Sequence, residues 1–406
     1  MPPAAFKNLC ILLLLAHLPE AHSICTEDHV TVCDNVDDLY KTHLTSTTTN
    51  LVVKSNPRKS EKMMDCLDLT SFYMETRDVL SATIVQQING LCWKDKIPFI
   101  KHRLRYLNFR DNKLPTLESY TFPTKLRLQK LSLVNNSIER IERRAFSFSS
   151  IDEIDLSNNR IEVLEREIFF VGVKNLFLRN NKINYIQEGA FQVSVEILDL
   201  SYNKLSHVHD GVVSHLIYLQ DLRLSHNNIF EMPNITQMER LEVLDLSYNK
   251  IKSVQSGTFE KLASLVTLNL SHNKIQTVEF INALLRRRHN YEEVMEYITT
   301  LQINLSFNVI KSVKNETLQD IASEVTLLSL AGNPLACDSW ASFESFLIHY
   351  KSVILAPCTK KYFGSGIVPY CIAEKYIDRK DTENFLTHVE TKENLIKCNL
   401  NAMYEH

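Results

Sequence analysis

Carboxylates, guanidinium groups and rings recur at a fixed interval through the middle of this 406-residue chain. One column reads Asn108, Ser132, Asp155, Phe177, Asp199, Arg223, Asp245, Asn269, Asn304 and Ser329. A second, three residues further on each time, reads Asp111, Asn135, Asn158, Asn180, Tyr202, His226, Tyr248, His272, Phe307 and Gly332. Asp155, Asp199 and Asp245 make a mildly acidic stripe with Arg179 and Arg223 set among them. Tyr202, His226, Tyr248 and His272 make a stripe of rings, the side chains that anchor macromolecular contacts. Phe177, flanked by Lys174 and Arg179, departs furthest from the polar character of its column.

Other chemistries find less support. The nearest approach to a nucleophile elbow is FGSGI around Ser365, which lacks the G-x-S-x-G pattern. His207 and His209 read as solvated surface, and no C-x-x-C or H-E-x-x-H spacing marks a zinc site. Of the 8 glycines only Gly364 and Gly366 fall close together, so no phosphate cradle is expected. A formal net charge of -3 gives no reason to expect a nucleic acid partner. We therefore expect neither catalysis nor a cofactor or resident metal.

The two columns are set by an internal repeat. The eleven-residue pattern L-x-x-L-x-L-x-x-N-x-L recurs ten times, from LRYLNFRDNKL at Leu104 to VTLLSLAGNPL at Val325, with spacings of 22 to 25 residues and one of 35. The L-x-L alternation predicts a short strand with one face inward, and stacked copies predict a parallel sheet. The ninth position is always asparagine: Asn112, Asn136, Asn159, Asn181, Asn203, Asn227, Asn249, Asn273, Asn308 and Asn333. A carboxamide has two donors and an acceptor, so a buried one can satisfy backbone groups of its own coil and the next. Phe122, Phe146, Phe169, Phe191 and Phe259 fall in register and predict a stacked spine on the far side, with Val213 replacing the ring in one coil. The 35-residue spacing contains FINALLRRRHNYEEVMEY, read as a charged helix or loop on the flank.

This pattern resembles the leucine-rich repeat family in its extracellular form, over Leu104 to Leu335. The resemblance implies an α/β solenoid: a horseshoe with a parallel concave sheet, about ten repeats and disulfide-bearing caps at both ends. A curved parallel sheet presents an extended binding surface, on which Asp155, Phe177, Arg179, Asp199, Tyr202, Arg223, His226, Asp245 and Tyr248 are the contact candidates. NPLACDSWASFESFLIHY, from Asn333, is similar to the family's C-terminal cap. That cap usually opens with C-x-C, whereas here Asp338 and Ser339 follow Cys337. Trp340, Phe343, Phe346, Leu347 and Tyr350 share one helical face that would cover the end of the core. Within the secreted members, the short solenoid, the single Cys337 and the later cysteine cluster resemble arthropod leucine-rich immune proteins such as those of mosquitoes. The tail after Cys371 has no sustained heptads, so coiled-coil pairing is not expected.

The chain ends frame the repeat. Residues 1–23 read as a signal peptide, with Lys7, an apolar run from Leu9 to Leu18 and small residues before the cleavage site. Residues 24–103 read as an N-terminal cap region in which LSATIVQQINGL, from Leu80, is expected as a degenerate first coil. Residues 104–335 are the solenoid and 336–406 the C-terminal cap region. Eight cysteines remain after the signal, Cys25, Cys33, Cys66 and Cys92, then Cys337, Cys358, Cys371 and Cys398, with none in the 244 residues between the groups. Two terminal disulfide clusters in an oxidising compartment are expected, with three pairings open in each. Sequons for N-glycosylation stand at Asn135, Asn234, Asn269, Asn304 and Asn315. The expectation is a secreted, extracellular recognition scaffold in innate immune or host-defence interactions. Its partner would be an extracellular protein or a microbial or cell-surface ligand, without membrane insertion and with the oligomeric state left open. The alternative is an extracellular adhesion or developmental signalling component.

Overall fold

The computed structural model describes residues 103–289 with short gaps, most of 301–334, and short strand segments between Val30 and Cys92 and at Ile354–Leu355. Several expectations lie outside the described residues: the signal peptide, residues 290–300, Asn315, the cap helix around Trp340, and Ser365. The same holds for Cys25, Cys66, Cys337, Cys358, Cys371 and Cys398, and for the side chains of Cys33 and Cys92.

The chain divides into two compact units, Met1–Leu114 and Pro115–His406. The first contains β1 (Val30–Cys33), β2 (Asn50–Lys54), β3 (Leu67–Asp68), β4 (Ser81–Val85), β5 (Leu91–Cys92) and β6 (Tyr106–Asn108). Strands β1, β2, β4 and β6 pair in parallel in that order, while β3 pairs with β5. Leu51 aligns with Ala82 and Ala82 with Leu107, all three buried. Stacking on one inward face is what solenoid strands do. The coil expected near Leu80 is therefore present as β4, and it is not the first of its kind, because β1 and β2 precede it.

The second unit contains β7 (Thr116–Leu117), β8 (Arg127–Ser132), β9 (Arg140–Ile141), β10 (Ser150–Asp155), β11 (Val163–Leu164), β12 (Asn175–Phe177) and β13 (Tyr185–Ile186). It continues with β14 (Ile197–Asp199), β15 (Asp221–Arg223), β16 (Val243–Asp245), β17 (Thr267–Asn269), β18 (Leu301–Asn304), β19 (Val325–Ser329) and β20 (Ile354–Leu355). Its main sheet runs β8-β10-β12-β14-β15-β16-β17-β18-β19-β20, parallel in each pairing between neighbours. This is the expected parallel-strand solenoid, with one strand beyond the last recognisable repeat. Register is uniform, so Leu176, Leu198, Leu222, Leu244 and Leu268 all point inward and all are fully buried.

The asparagines hold the coils together. Asn227 Nδ2 donates to Leu224 O at 3.0 Å within its own coil and to Leu200 O at 3.0 Å in the preceding one. Its Oδ1 accepts the Leu205 backbone N–H at 3.0 Å. Asn159, Asn181, Asn203, Asn249, Asn273 and Asn308 repeat this set. In the first unit Asn112 does the same with Ile88 N–H and Ile84 O. Each side chain thus closes backbone groups that would otherwise be stranded at the turn out of the strand.

The phenylalanine spine forms as expected over its first four members. Phe122, Phe146, Phe169 and Phe191 stack with centroids 5.2, 5.6 and 6.1 Å apart. Val213, on the short helix α1 (Asp210–Val213), interrupts the rings and is fully buried. Phe259 ends a 3-10 turn (Ser256–Phe259) and meets Phe280 at 5.6 Å, tilted by 50°. Phe280 opens helix α2 (Phe280–His289), one of the two forms expected of the insertion, and its apolar start lies in the core. Phe280, Ile281, Leu284 and Leu285 are all buried. Their spacing places them on one helical stripe, and that stripe completes the core of its coil.

Candidate interaction face

Residues of the first column occupy the solvent side of the sheet, since strand side chains alternate and their neighbours point inward. Pairing sets Asp155 beside Phe177, Phe177 beside Asp199, Asp199 beside Arg223, and Arg223 beside Asp245. These carboxylates have a local duty as well. Asp155, Asp199 and Asp245 each accept the backbone N–H two residues on through Oδ1, from Ser157 at 3.0 Å, Ser201 at 2.8 Å and Ser247 at 3.0 Å. Asn269 and Asn304 make the same turn to Ser271 and Ser306. Where the column holds Asp or Asn, the side chain supplies an acceptor oxygen to the strand exit; Phe177 and Arg223 do without it.

The charges sort themselves across this face. Arg223 does not bridge its column neighbours; Nε and Nη2 grip Asp221, with Nη2 2.7 Å from Oδ2. That bond, aided by Asp199 and Asp245 at longer range, holds the guanidinium pKa above its ordinary value. Lys130 Nζ lies 2.6 Å from Glu153. Burial pushes the Asp245 carboxyl above the usual carboxylate range, opposed by hydrogen bonds from Ser247 and Ser225 and by the nearby Arg223. Asp199 is 6% exposed and forms part of the floor.

The second column shows a property that composition alone did not announce. Asp111, Asn135, Asn158, Asn180, Tyr202, His226, Tyr248, His272 and Phe307 all have φ between 53 and 59°, and Gly332 has φ 69°. The chain leaves the strand of each of the ten repeats through a left-handed residue. Asparagine, aspartate and glycine tolerate that region, whereas bulkier residues enter it at a cost of about 1–2 kcal/mol. The bulkier residues here recover contact energy by stacking. Tyr202 and His226 lie 4.0 Å apart between centroids, His226 and Tyr248 4.1 Å, Tyr248 and His272 3.9 Å, and His272 and Phe307 4.3 Å.

Arg179 caps the near end of this row, its guanidinium carbon 4.3 Å from the Tyr202 ring centroid. The expected four-ring stripe is thus a five-ring stack with a cationic cap, and Phe307 and Arg179 are members that sequence reading did not place in it. The signal was available, since Phe307 stands in the same column. Burial lowers the pKa of both imidazoles, that of His272 to about 4. Both rings are therefore neutral near pH 7 and can stack without burying charge.

The remaining predicted positions scatter. Asn135 is exposed at a strand exit, Asn234 Oδ1 accepts the Thr236 hydroxyl at 2.8 Å, and Asn269 and Asn304 pair in register on β17 and β18. His207 Nε2 lies 2.8 Å from His209 Nδ1, with Tyr185 edge-on to the latter. Among the described residues no group of three or more potential metal ligands occurs. No helix among them is long and apolar enough to cross a membrane.

Residues 126–170, 171–229 and 235–280 match the leucine rich repeat family. Those residues carry leucine-rich repeats. In sequence, no curated protein matches it. In structure these repeats are similar to the crystal structure of the leucine-rich repeat domain of APL1B, with a TM-score of 0.55 and 18% identity, covering 88% of this chain and 92% of that one. They are also similar to a chain of the octameric complex of Latrophilin 3, Unc5D and FLRT2, the last present as its leucine-rich repeat region. There the TM-score is 0.54 and identity 16%, over 82% of this chain and 91% of the other. A third likeness is to the TLR13–ssRNA13 complex, with a TM-score of 0.47 and 18% identity over 80% of this chain, which spans 56% of that one. At these identities the likeness is one of fold.

Proposed function

We propose that this chain is a secreted recognition scaffold that binds an extracellular protein through the solvent side of its sheet, in host-defence interactions at the cell exterior. The observation that carries the reading is the unbroken row from Arg179 through Tyr202, His226, Tyr248 and His272 to Phe307, beside a face bearing Asp155, Phe177, Asp199 and Asp245. Rings locked against one another lose little freedom when a partner docks, which lowers the cost of association. Leucine-rich repeats elsewhere serve as protein-binding scaffolds, and FLRT2 is found in a complex with two other proteins. The signal-like amino terminus and the two cysteine groups support the extracellular placement.

The test is affinity capture from extracellular fluid with the purified chain, run beside a variant carrying Phe177→Ser and Tyr248→Ser. The reading expects at least one partner retained by the native chain and lost by the variant. A partner set unchanged by the variant overturns it. Transcript induction by microbial challenge, against constant expression, tests the host-defence half.

A further inference from the structure

The charges on the sheet face have a spacing, and the spacing selects a ligand. Asp155, Asp199 and Asp245 stand on β10, β14 and β16, each two strands from the next in the order β10-β12-β14-β15-β16. Neighbouring strands lie about 4.8 Å apart, so successive carboxylates are about 9.6 Å apart across the sheet. Phe177 fills the position between the first two, half-buried, and Arg223 the position between the last two.

The basic groups nearby are already engaged. Lys130 pairs with Glu153, Arg223 with Asp221, and Arg179 is drawn onto the Tyr202 ring. Among the described residues none of Asp155, Asp199 and Asp245 forms an ion pair. Each commits Oδ1 to a backbone N–H, and Asp199 and Asp245 feel Arg223 at longer range. Negative charge on this face is therefore left for a partner to meet.

We propose that this face takes an extended polyproline II segment of a partner protein, bearing a basic side chain at every third residue. The inference rests on the protein-binding reading above and names its partner chemistry. A polyproline II helix turns once in three residues and rises about 3.1 Å per residue, so every third side chain lies on one side at about 9.3 Å intervals. That matches the carboxylate interval. The residues between the cations pass over Phe177 and over the stem of Arg223, and proline is suited to lie on an aromatic ring in this way. A β-strand would send alternate cations away from the sheet.

The experiment uses the full chain and a fluorescein-labelled nonapeptide, Arg-Pro-Pro repeated three times, with fluorescence anisotropy at low salt. Its control is a peptide of the same composition with the three arginines contiguous. The variants are Asp155→Asn, Asp199→Asn and Asp245→Asn, singly and together. Asn269 and Asn304 show that asparagine keeps the strand-exit turn in this column, so these changes remove charge and spare the fold. The in-register peptide should bind more tightly than the contiguous one, and the triple substitution should weaken it at least about threefold, with the smallest single effect at Asp199, which is 6% exposed.

Equal affinity for the two peptides, or a triple variant that binds like the native chain, overturns the proposal. Displacement of the peptide by spermidine at equal charge concentration also overturns it, by making the ligand a polyamine. Capture of a face-dependent partner that the peptide does not displace sinks this inference and leaves the scaffold reading standing.

Discussion

A Cβ built on Gly332 would lie 2.5 Å from Cδ1 of Phe307, the last ring of the stack. The ring covers the glycine backbone where the next column residue would otherwise put a side chain. Gly332 also has φ 69°, so two constraints meet at one position. Gly332→Ala is expected to destabilise the chain by about 1–3 kcal/mol, read as a lower midpoint in urea. An unchanged midpoint would show that Phe307 yields freely.

Replacing a ladder asparagine tests the mechanism that joins the coils. Asn227→Leu keeps the branched outline and leaves the Leu205 N–H without its acceptor, while the Leu200 and Leu224 carbonyls keep Asn203 and Asn249 as donors. One unmet buried group costs about 1–3 kcal/mol, so the variant should lose about that much. Amide exchange should speed up around residues 200–228 first. Loss spread evenly over the whole unit would mean that the bonds are not local in effect.

Acid should loosen the ring stack through His272. Its folded pKa is about 4, below the ordinary value of 6.5, because burial disfavours the charged ring. The unfolded chain therefore takes up a proton as pH falls below about 6.5 while the folded chain does not. Stability present above that pH is lost progressively down to about pH 4, by up to roughly 3 kcal/mol. His226 is shifted in the same direction and adds to the slope, while Asp245, raised by burial, opposes it. Phe307 shows that phenylalanine accepts this backbone conformation, so His272→Phe should flatten the dependence of unfolding free energy on pH between 4 and 6.5. A slope identical to the native one would remove His272 from the account.

Leu284→Ala distinguishes a docked helix from a solvated insertion. With Leu284 fully buried beside Ile281, truncation should cost about 2–5 kcal/mol. A cost below about 0.5 kcal/mol, the range of surface substitutions, would return α2 to the flank.

The solenoid was legible because asparagine cannot be exchanged at its position. Only a side chain with two donors and an acceptor closes Leu205 N–H, Leu200 O and Leu224 O at once, so Asn227 and its equivalents keep their period. Where the pattern is incomplete, the coil goes unread. Leu51, Val53, Ala82 and Ile84 stack as coil strands do, but Asn56 after Val53 has Thr48 and Arg58 at the outer apolar positions, and Gln87 stands where the asparagine would follow Ile84. A helix was one of the two forms expected at α2, but the run Arg286–His289 outweighed the apolar pairs just before it, whose burial went unread. The residues of the acidic stripe lie in register on the sheet, but Asp and Asn both serve the strand-exit turn there, a structural role that spacing alone does not separate from ligand contact. The left-handed column could have been found, since Asp111, Asn135, Asn158, Asn180 and Gly332 are the residue types that enter that region most readily.

The heptapeptide Leu198–Lys204 recurs letter for letter as Leu244–Lys250, 46 residues later. Asn203 and Asn249 make the same bonds, and Tyr202 and Tyr248 both neighbour His226 in the row. A chain spliced from one copy straight into the other would drop two turns, pass Arg179 on to a tyrosine and a following histidine as before, and leave no seam. The span of this protein is thus a quantity that recombination can lengthen or shorten in whole steps, with its two extremities untouched.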